Sequence, residues 1–418
     1  MPKSKSTRFW PNFATGVWEK ESCVVKNFES PLRHIGEAAV FSMLIDFADQ
    51  CRRRKSAEGF KIYIDGHLQH PDDTLQFLPR KTDKTLRGYH LRMETAFASY
   101  CLVCDELLQT GEANWSYLQE FADTLFDHVG IPNRFVEMGL YVGNYRVTPF
   151  GVHVDNCGVF SFPVVGQKTF RLWSPEFAKA HPSLHRTQRY SKFKTNSKTL
   201  TVGPGDMAYW PSSAWHVAES DGSFTATWSL GVWVDQTHQS HLEKALQPLL
   251  KSKLGVGGAR TTTTISKPPS APGPSVLPDS YRQSIALIQS LSQNELHDAF
   301  LAAWLQLKSM NGFKTVPQVS LPAEITLQSR IFLPPTGQIH WAHLKAKTKC
   351  IFSHRGTNLE TETSTQFLAL VNALNSGQTC LIADFLKGSK RRKDLASLNT
   401  LLIPNVRSDP PNSPVPSR

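Results

Sequence analysis

In the stretch TPFGVHVDN (148–156) an imidazole and a carboxylate, His153 and Asp155, stand two residues apart in an otherwise apolar run. On a strand, residues two apart point to the same side, so a ring nitrogen and a carboxylate oxygen would lie together while Val154 packs on the other face. Such a pair is either part of a metal site or an ordinary polar edge. A third ligand is available in GPGDMAYWPSSAWHVAES (203–220), where a Gly-Pro-Gly-Asp turn, a strand and a Pro turn lead to His216 between Trp215 and Val217. Two histidines and one carboxylate on one face of an octahedron leave three positions open, which is the ligand set of non-haem Fe(II) oxygenases. The HxD pattern alone is common, and with 15 histidines in the chain a later partner is unsurprising.

Lys168 adds chemistry to the set. In VVGQKTFRLW it stands amid Val164, Val165, Phe170 and Leu172. A lysine among apolar strand residues is costly unless an anion meets it, and a dicarboxylate chelating a metal at one end would need a cation at the other. The alternative is an edge lysine whose ammonium reaches solvent. Cys101-Leu-Val-Cys104 is formally CxxC, but no second pair accompanies it and it stands in a run that reads as helical.

These residues need elements to hold them. From about 135 to 235 the chain breaks into short segments rich in Val, Phe, Thr and Trp, separated by Gly, Pro and Asp: VEMGLYVGNY, GVHVDN, GVFSFPVV, KTFRLW, KTLTVGPGD, MAYWP and SFTATWSLGVWV. Strands at this spacing predict an antiparallel barrel or double-sheet jelly roll. Residues 31–51 and 94–129 carry apolar residues at helical spacing, among them Leu118, Phe121, Leu125 and Val129. LGVGGARTTTTISKPPSAPGPSVLPDS (254–280) has the composition of a linker. Beyond it, Ser292-x-x-Glu295 reads as a capping box opening a helix that Asn311-Gly312 ends. STQFLALVNALNSGQTCLIADFL (364–386) reads as helix, turn, helix after two strand-like segments, in the manner of a winged helix.

Composition sets outer limits. The chain has 418 residues, 40% of them hydrophobic, with ten Trp and 24 Phe, which is enough for two or three folded domains. No apolar run approaches the ~20 residues that span a bilayer, and MPKSKSTRFWPNF lacks the apolar core of a secretory signal. Seven scattered cysteines fit free thiols in a reducing cytoplasm. The net charge of +11 favours anionic partners. Basic residues cluster in HRTQRYSKFKTNSK (185–198) and KGSKRRK (387–393), and each cluster reads most simply as a solvated surface.

The series HVD, GQKTFRLWSPE with Lys168 fifteen positions after His153, GD…YWPSSAWHVAES and TWSLGVW is similar to the JmjC/cupin-like family of Fe(II)- and 2-oxoglutarate-dependent oxygenases. The similarity is greatest to the protein-hydroxylase branch, which includes an asparaginyl hydroxylase and the ribosomal oxygenases. The resemblance implies an α+β chain with a double-stranded β-helix (jelly roll, cupin-like), N-terminal helices and a C-terminal helical and winged-helix-like part. It implies that His153, Asp155 and His216 bind iron, that Lys168 pairs with the distal carboxylate of 2-oxoglutarate, and that Tyr141 and Ser229 line the co-substrate pocket. The implied reaction consumes O2, converts 2-oxoglutarate to succinate and CO2, and hydroxylates a side chain of a protein or peptide. Trp210, Trp215, Trp228 and Phe162 would supply apolar bulk nearby, although each reads more simply as a core residue.

One position departs from the pattern. Where the asparaginyl hydroxylase has a threonine three residues before its first ligand, this chain has Phe150, and Thr148 is five residues away. The expected plan is an N-terminal region (1–134), the roll (135–236), a helix (237–253), the linker (254–280), a helical region suited to dimerisation (281–313), a winged-helix-like domain (314–403) and a tail (404–418). Expected partners are a polypeptide substrate, acidic or ribosome-associated, and a second copy of the chain. Nucleic acid is less favoured. Competing readings are a demethylase or tRNA hydroxylase at the same site, a non-catalytic basic binding protein, and a zinc hydrolase, in which Lys168 would have no task.

Overall fold

Along Phe135–Gly143 every second residue (Val136, Met138, Leu140, Val142) is buried on one face. That period of two makes a strand with a core side and a second side free for other work. In the computed structural model, which describes residues 6–105, 107–234, 237–254, 276–317, 323–334, 337–388 and 390–403, the pattern repeats through an antiparallel assembly. The strands are β1 (Cys23–Val25), β2 (Phe60–Ile64), β3 (His67–Leu68), β4 (Tyr100–Asp105), β5 (Phe135–Gly143), β6 (Cys157–Val165), β7 (Lys168–Trp173), β8 (Lys198–Val202), β9 (Met207–Trp210), β10 (Trp215–Glu219) and β11 (Thr225–Trp233). Eight form one sheet in the order β1-β9-β6-β11-β5-β4-β2-β3, and three form a second, β10-β7-β8. Residues 147–153 run along the free edge of β10, with bridges from Val147 to Glu219 and from His153 to His216. This is the expected double-stranded β-helix in a mixed α and β chain.

The large sheet has two working faces. Outward, Leu140, Phe160, Trp228 and Leu230 pack with Phe13 from the helix Ser6–Gly16 and with Leu118, Phe121 and Leu125 from the helix Glu112–Val129. Phe13 and Phe121 flank Phe160 at centroid distances of 5.6 and 5.5 Å. Inward, toward the small sheet, Val159, Phe170, Leu172, Val202 and Trp210 form a separate apolar cluster. The Glu19 carboxylate accepts from the Tyr209 hydroxyl (3.1 Å) and from the Ser212 N–H (3.2 Å), tying the chain after the first helix to the roll.

Chain segments unlike those expected have physical reasons. Of the helical run 94–129, only the ends are helical. Residues 100–105 form β4, so Cys101 and Cys104 lie on a strand. Five of its six residues are buried, and a strand enclosed on both faces loses the alternation that distinguishes it from a buried helix. The two thiols point to opposite faces, into different clusters, as residues three apart on a strand must. The β4–β5 junction is tight. A Cβ on Gly143 would stand 2.1 Å from the Tyr100 carbonyl oxygen and 3.1 Å from the Cys101 Cα. Both are backbone atoms that cannot rotate away, so Gly143→Ala is expected to cost roughly 1–3 kcal/mol, seen as a lower urea midpoint.

The chain divides into two compact units, Met1–Asp235 with Met310–Ser320 and Gln236–Ser309 with Leu321–Arg418. In the second, Ser292 and Glu295 close the expected capping box, the Glu295 carboxylate accepting from the Ser292 N–H at 2.9 Å, and open the helix Gln293–Ser309. A three-stranded antiparallel sheet (His340–His343, Cys350–His354, Thr357–Thr361) and the helices Thr365–Asn375 and Arg391–Leu402 enclose Phe352, Phe367, Leu370 and Leu398. The second helix expected within 364–386 is instead a two-residue strand, Cys380–Leu381, and a single turn, Ile382–Phe385. Most of the expected linker (255–275) and the tail from 404 lie outside the described residues. No helix among the described residues is long and apolar enough to cross a membrane.

Candidate active site

His153 and His216, 63 positions apart, are joined by their backbones. The His153 N–H donates to the His216 carbonyl (3.0 Å) and the His216 N–H to the His153 carbonyl (2.7 Å). This reciprocal pair sets the two imidazoles side by side on the inner face of the small sheet, with ring centroids 4.2 Å apart. Each ring is then fixed by its own backbone: Nδ1 of His153 lies 3.0 Å from the Gly151 carbonyl and Nδ1 of His216 3.1 Å from the Ala214 carbonyl. With Nδ1 donating, Nε2 keeps its lone pair for a cation, the usual support of a metal-bound histidine. Asp155 completes the cluster. Its Oδ2 is 3.5 Å from Nε2 of His153 and 3.6 Å from Nε2 of His216. One ligand atom from each residue falls within 4.8 Å of the others, a spacing that fits one divalent cation.

Burial grades the three. His216 is buried, whereas His153 and Asp155 are partly open to the cavity mouth. Burial, aided by the neighbouring His153, pushes the His216 imidazole down to about 4, so it is a neutral ligand at ordinary pH. Burial alone would raise Asp155, but the adjoining His153 and His216 side chains outweigh it and hold the carboxyl below its usual range. A carboxylate beside two imidazoles is a donor set suited to a borderline divalent metal.

Behind the cluster the same cavity, of about 60 Å³, continues between the sheets and is lined by Tyr141, Lys168 and Ser229 as well as the three ligand candidates. All six residues singled out in the sequence therefore meet in one space. Lys168 opens β7 and is 1% exposed. Its ammonium has no hydrogen-bond partner and sits 3.6 Å from the centroid of the Tyr145 ring. Burial pulls it down to about 7, against a smaller opposing influence of Cys101.

Three further buried polar atoms in this cavity lack partners: Ser161 Oγ, Thr227 Oγ1 and Trp210 Nε1. Orphaned buried polar atoms are rare in folded proteins and call for an explanation. Four in one cavity, one of them an amine, describe a space built for an anion with several acceptor oxygens. Ser161 and Thr227 were not found from sequence, although Thr227 stands two residues before Ser229 and so shares its face, and Ser161 is the Cα partner of Ser229 across the β6–β11 ladder. Phe150 and Thr148 both line the cavity, and Phe150 packs edge-on to His153 at 4.7 Å. Of the four expected apolar neighbours, only Trp210 lines the site. Trp228 and Phe162 belong to the opposite face of the sheet, and Trp215 stacks on His185 at 4.0 Å. The basic segment 185–198 does border the site: the Arg186 N–H donates to the Val152 carbonyl and the Val152 N–H to the Thr187 carbonyl. Lys194 is turned to Glu219 (3.3 Å) and Lys198 to the Ser22 carbonyl (2.6 Å).

The chain is similar in part to known proteins. The family model of the JmjC domain matches residues 118–240. HSPB1-associated protein 1 of Bos taurus is 26% identical over 152 residues, which are 31% of this chain and 31% of that protein. The match thus spans under a third of the relative's length. Among solved structures, the ribosomal oxygenase YcfD of Escherichia coli in complex with cobalt and 2-oxoglutarate is 15% identical, with a TM-score of 0.49 over 95% of this chain and 97% of that one. The same protein with cobalt and succinic acid gives 0.48 at 15% identity, covering 95% and 97% of the two chains. Residues 118–240, the stretch similar to the JmjC domain, hold every side chain of the candidate site named above from Tyr141 to Ser229.

Proposed function

We propose that the protein is an Fe(II)- and 2-oxoglutarate-dependent oxygenase that hydroxylates a side chain of a polypeptide. The observation that carries this reading is the junction, in one cavity, of a two-histidine, one-carboxylate cluster with a buried, unpaired lysine and three unpaired donors. The cluster fits Fe(II), and the pocket behind it fits a dicarboxylate. When bound, the iron and 2-oxoglutarate would supply the oxidising chemistry, with O2 consumed and succinate and CO2 released.

The chain's own residues have positioning tasks. His153, Asp155 and His216 would hold the metal through Nε2, a carboxylate oxygen and Nε2. Lys168 would meet the distal carboxylate of the co-substrate, taking up a proton so that an ammonium faces an anion in a dry site. The hydroxyls of Ser161 and Thr227 and the indole N–H of Trp210 would satisfy its remaining oxygens, with Tyr141 and Ser229 on the wall beside them. Phe170, Trp210 and Val159 exclude water from the inner end. A non-catalytic binding protein would leave the four orphaned atoms with nothing to meet, and a zinc hydrolase would give Lys168 no role.

The parts beyond the roll enter the proposal as docking elements, 281–313 for self-association and the winged-helix-like 314–403 for partner contact. The decisive experiment is anaerobic loading with Fe(II), then addition of 2-oxoglutarate and O2 with succinate measured. No succinate above the metal-free control would end the oxygenase reading. Ser161→Ala and Thr227→Val each remove one donor without adding bulk to the buried cavity. Each is expected to raise KM for 2-oxoglutarate roughly ten-fold or more with metal uptake unchanged, measured by turnover and by Co(II) absorbance.

A further inference from the structure

We propose that Gly151 and the strip Arg186–Thr187–Gln188 form a backbone clamp that positions His153 for the metal. This inference rests on the metal-binding half of the oxygenase reading and deepens it. His153 is the imidazole that needs such help. His216 is buried within β10, whereas His153 is partly open and ends residues 147–153, which run along the edge of that strand. One side of this stretch is tied to β10: the Thr148 N–H donates to the Ala218 carbonyl at 3.0 Å, and His153 pairs with His216. The strip holds the other side. The Val152 N–H donates to the Thr187 carbonyl (3.0 Å), the Arg186 N–H to the Val152 carbonyl (2.7 Å), and the Gln188 side-chain amide to the Pro149 carbonyl.

Gly151 is where the two chains approach most closely. Its φ is +70°, in the region that favours glycine, and its carbonyl lies 3.0 Å from Nδ1 of His153. A Cβ there would stand 2.7 Å from the Arg186 carbonyl oxygen and 2.8 Å from both the Arg186 carbonyl carbon and the Thr187 carbonyl oxygen. These are backbone atoms with no rotamer to yield. Arg186 itself has a φ of +55°, a conformation that costs a residue with a side chain and persists where its surroundings impose it. Two positive-φ residues thus meet in a contact that only glycine allows, two positions before a metal-ligand candidate. The chain around the strip is anchored in turn, by the His185 ring stacked on Trp215 at 4.0 Å and by the Tyr190 hydroxyl donating to Glu219 at 2.6 Å. A metal-bound imidazole is oriented by what its other nitrogen meets. For His153 that group is a carbonyl whose place is set by the strip.

The test measures Co(II) affinity of the full chain by visible absorbance in Gly151→Ala and, as a control, in Gly66→Ala. Gly66 also has a positive φ (+83°) but open space where a Cβ would stand, so alanine there brings the backbone cost without the collision. Gly151→Ala is expected to weaken Co(II) about ten-fold or more and to alter its d–d band, because the imidazole is displaced. Gly66→Ala should keep the wild-type affinity and spectrum. At saturating metal the KM for 2-oxoglutarate should be unchanged in Gly151→Ala, since Lys168 is untouched. Gln188→Ala removes one tie from an exposed side chain and is expected to weaken Co(II) roughly three-fold. Wild-type affinity and spectrum in Gly151→Ala overturn the clamp, as does an equal loss of metal in Gly66→Ala. Should Gly151→Ala fail to fold, unchanged affinity in Gln188→Ala overturns it. Succinate formation by the Fe(II)-loaded wild type separates the two proposals. Co(II) binding that depends on Gly151 without succinate removes the oxygenase reading and keeps the clamp, whereas succinate formation with Co(II) affinity indifferent to Gly151 does the opposite.

Discussion

His216→Ala is expected to abolish divalent-metal uptake and to reduce 2-oxoglutarate turnover by about a thousand-fold or more, on the order expected when a metal that carries the chemistry is lost. The reason lies in how the site is assembled. His216 is the buried member of the cluster, and its ring is oriented by the Ala214 carbonyl before any metal arrives. Alanine keeps the backbone pair with His153 but leaves one imidazole and a carboxylate, too few protein ligands for a firm site. The readout independent of activity is thermal. A metal present at a hundred times its Kd stabilises the fold by about 2.7 kcal/mol, roughly 5–10 °C for a domain of this size. Wild-type protein should gain that on adding Co(II) and lose it on chelation, while the variant should melt at one temperature in both. An alanine variant stabilised by Co(II) as much as wild type would show that the cation binds elsewhere.

The site was legible in sequence to the extent that strand periodicity reaches. His153 and Asp155 could be paired because residues two apart share a face, and Lys168 stood out because its neighbours are apolar. The pairing of His153 with His216 was not derivable from spacing. It depends on residues 147–153 adding to the edge of β10, a non-local contact that follows from the closure of the two sheets. The same limit explains Ser161, which is a lone hydroxyl in a strand whose other residues are nearly all buried and becomes informative only opposite Ser229. Cys101 and Cys104 were misassigned to a helix because a strand covered on both faces carries no alternating signal. Trp228 and Phe162 take the core reading that the sequence favoured, but the sequence alone could not tie them to one face. Aromatic residues fill both faces of the large sheet, and only parity relative to Ser229 and Ser161 assigns them outward. The roll itself was readable because its turns are marked by Gly, Pro and Asp at short intervals. The C-terminal unit was readable at its capping box and less so at 380–385, where a β-bridge to Arg330 and Ile331 takes residues that local pattern would leave helical.

Lys168→Met is expected to make the free protein more stable and the enzyme nearly inactive toward 2-oxoglutarate. In the free cavity the amine is fully buried, faces the Tyr145 ring and has no acceptor. Its proton is therefore easier to lose in the folded chain, near pH 7, than in the unfolded chain, where a lysine titrates near 10.5. Between those values the unfolded state binds more protons, so stability rises with pH across that window and the group's penalty is greatest at and below pH 7. Methionine has similar length and no charge, so the variant lacks this slope. It should exceed wild type by a few kcal/mol at neutral pH, with the gap closing toward pH 10.5, in urea titrations at a series of pH values. Added 2-oxoglutarate should reverse the order. The dianion gives wild-type Lys168 the partner it lacks and stabilises that protein, whereas the variant, with no cation for the distal carboxylate, should gain little and show KM raised about a hundred-fold. A lysine kept only for structure would behave in the opposite way, since its removal would lower stability and leave the co-substrate's KM in place.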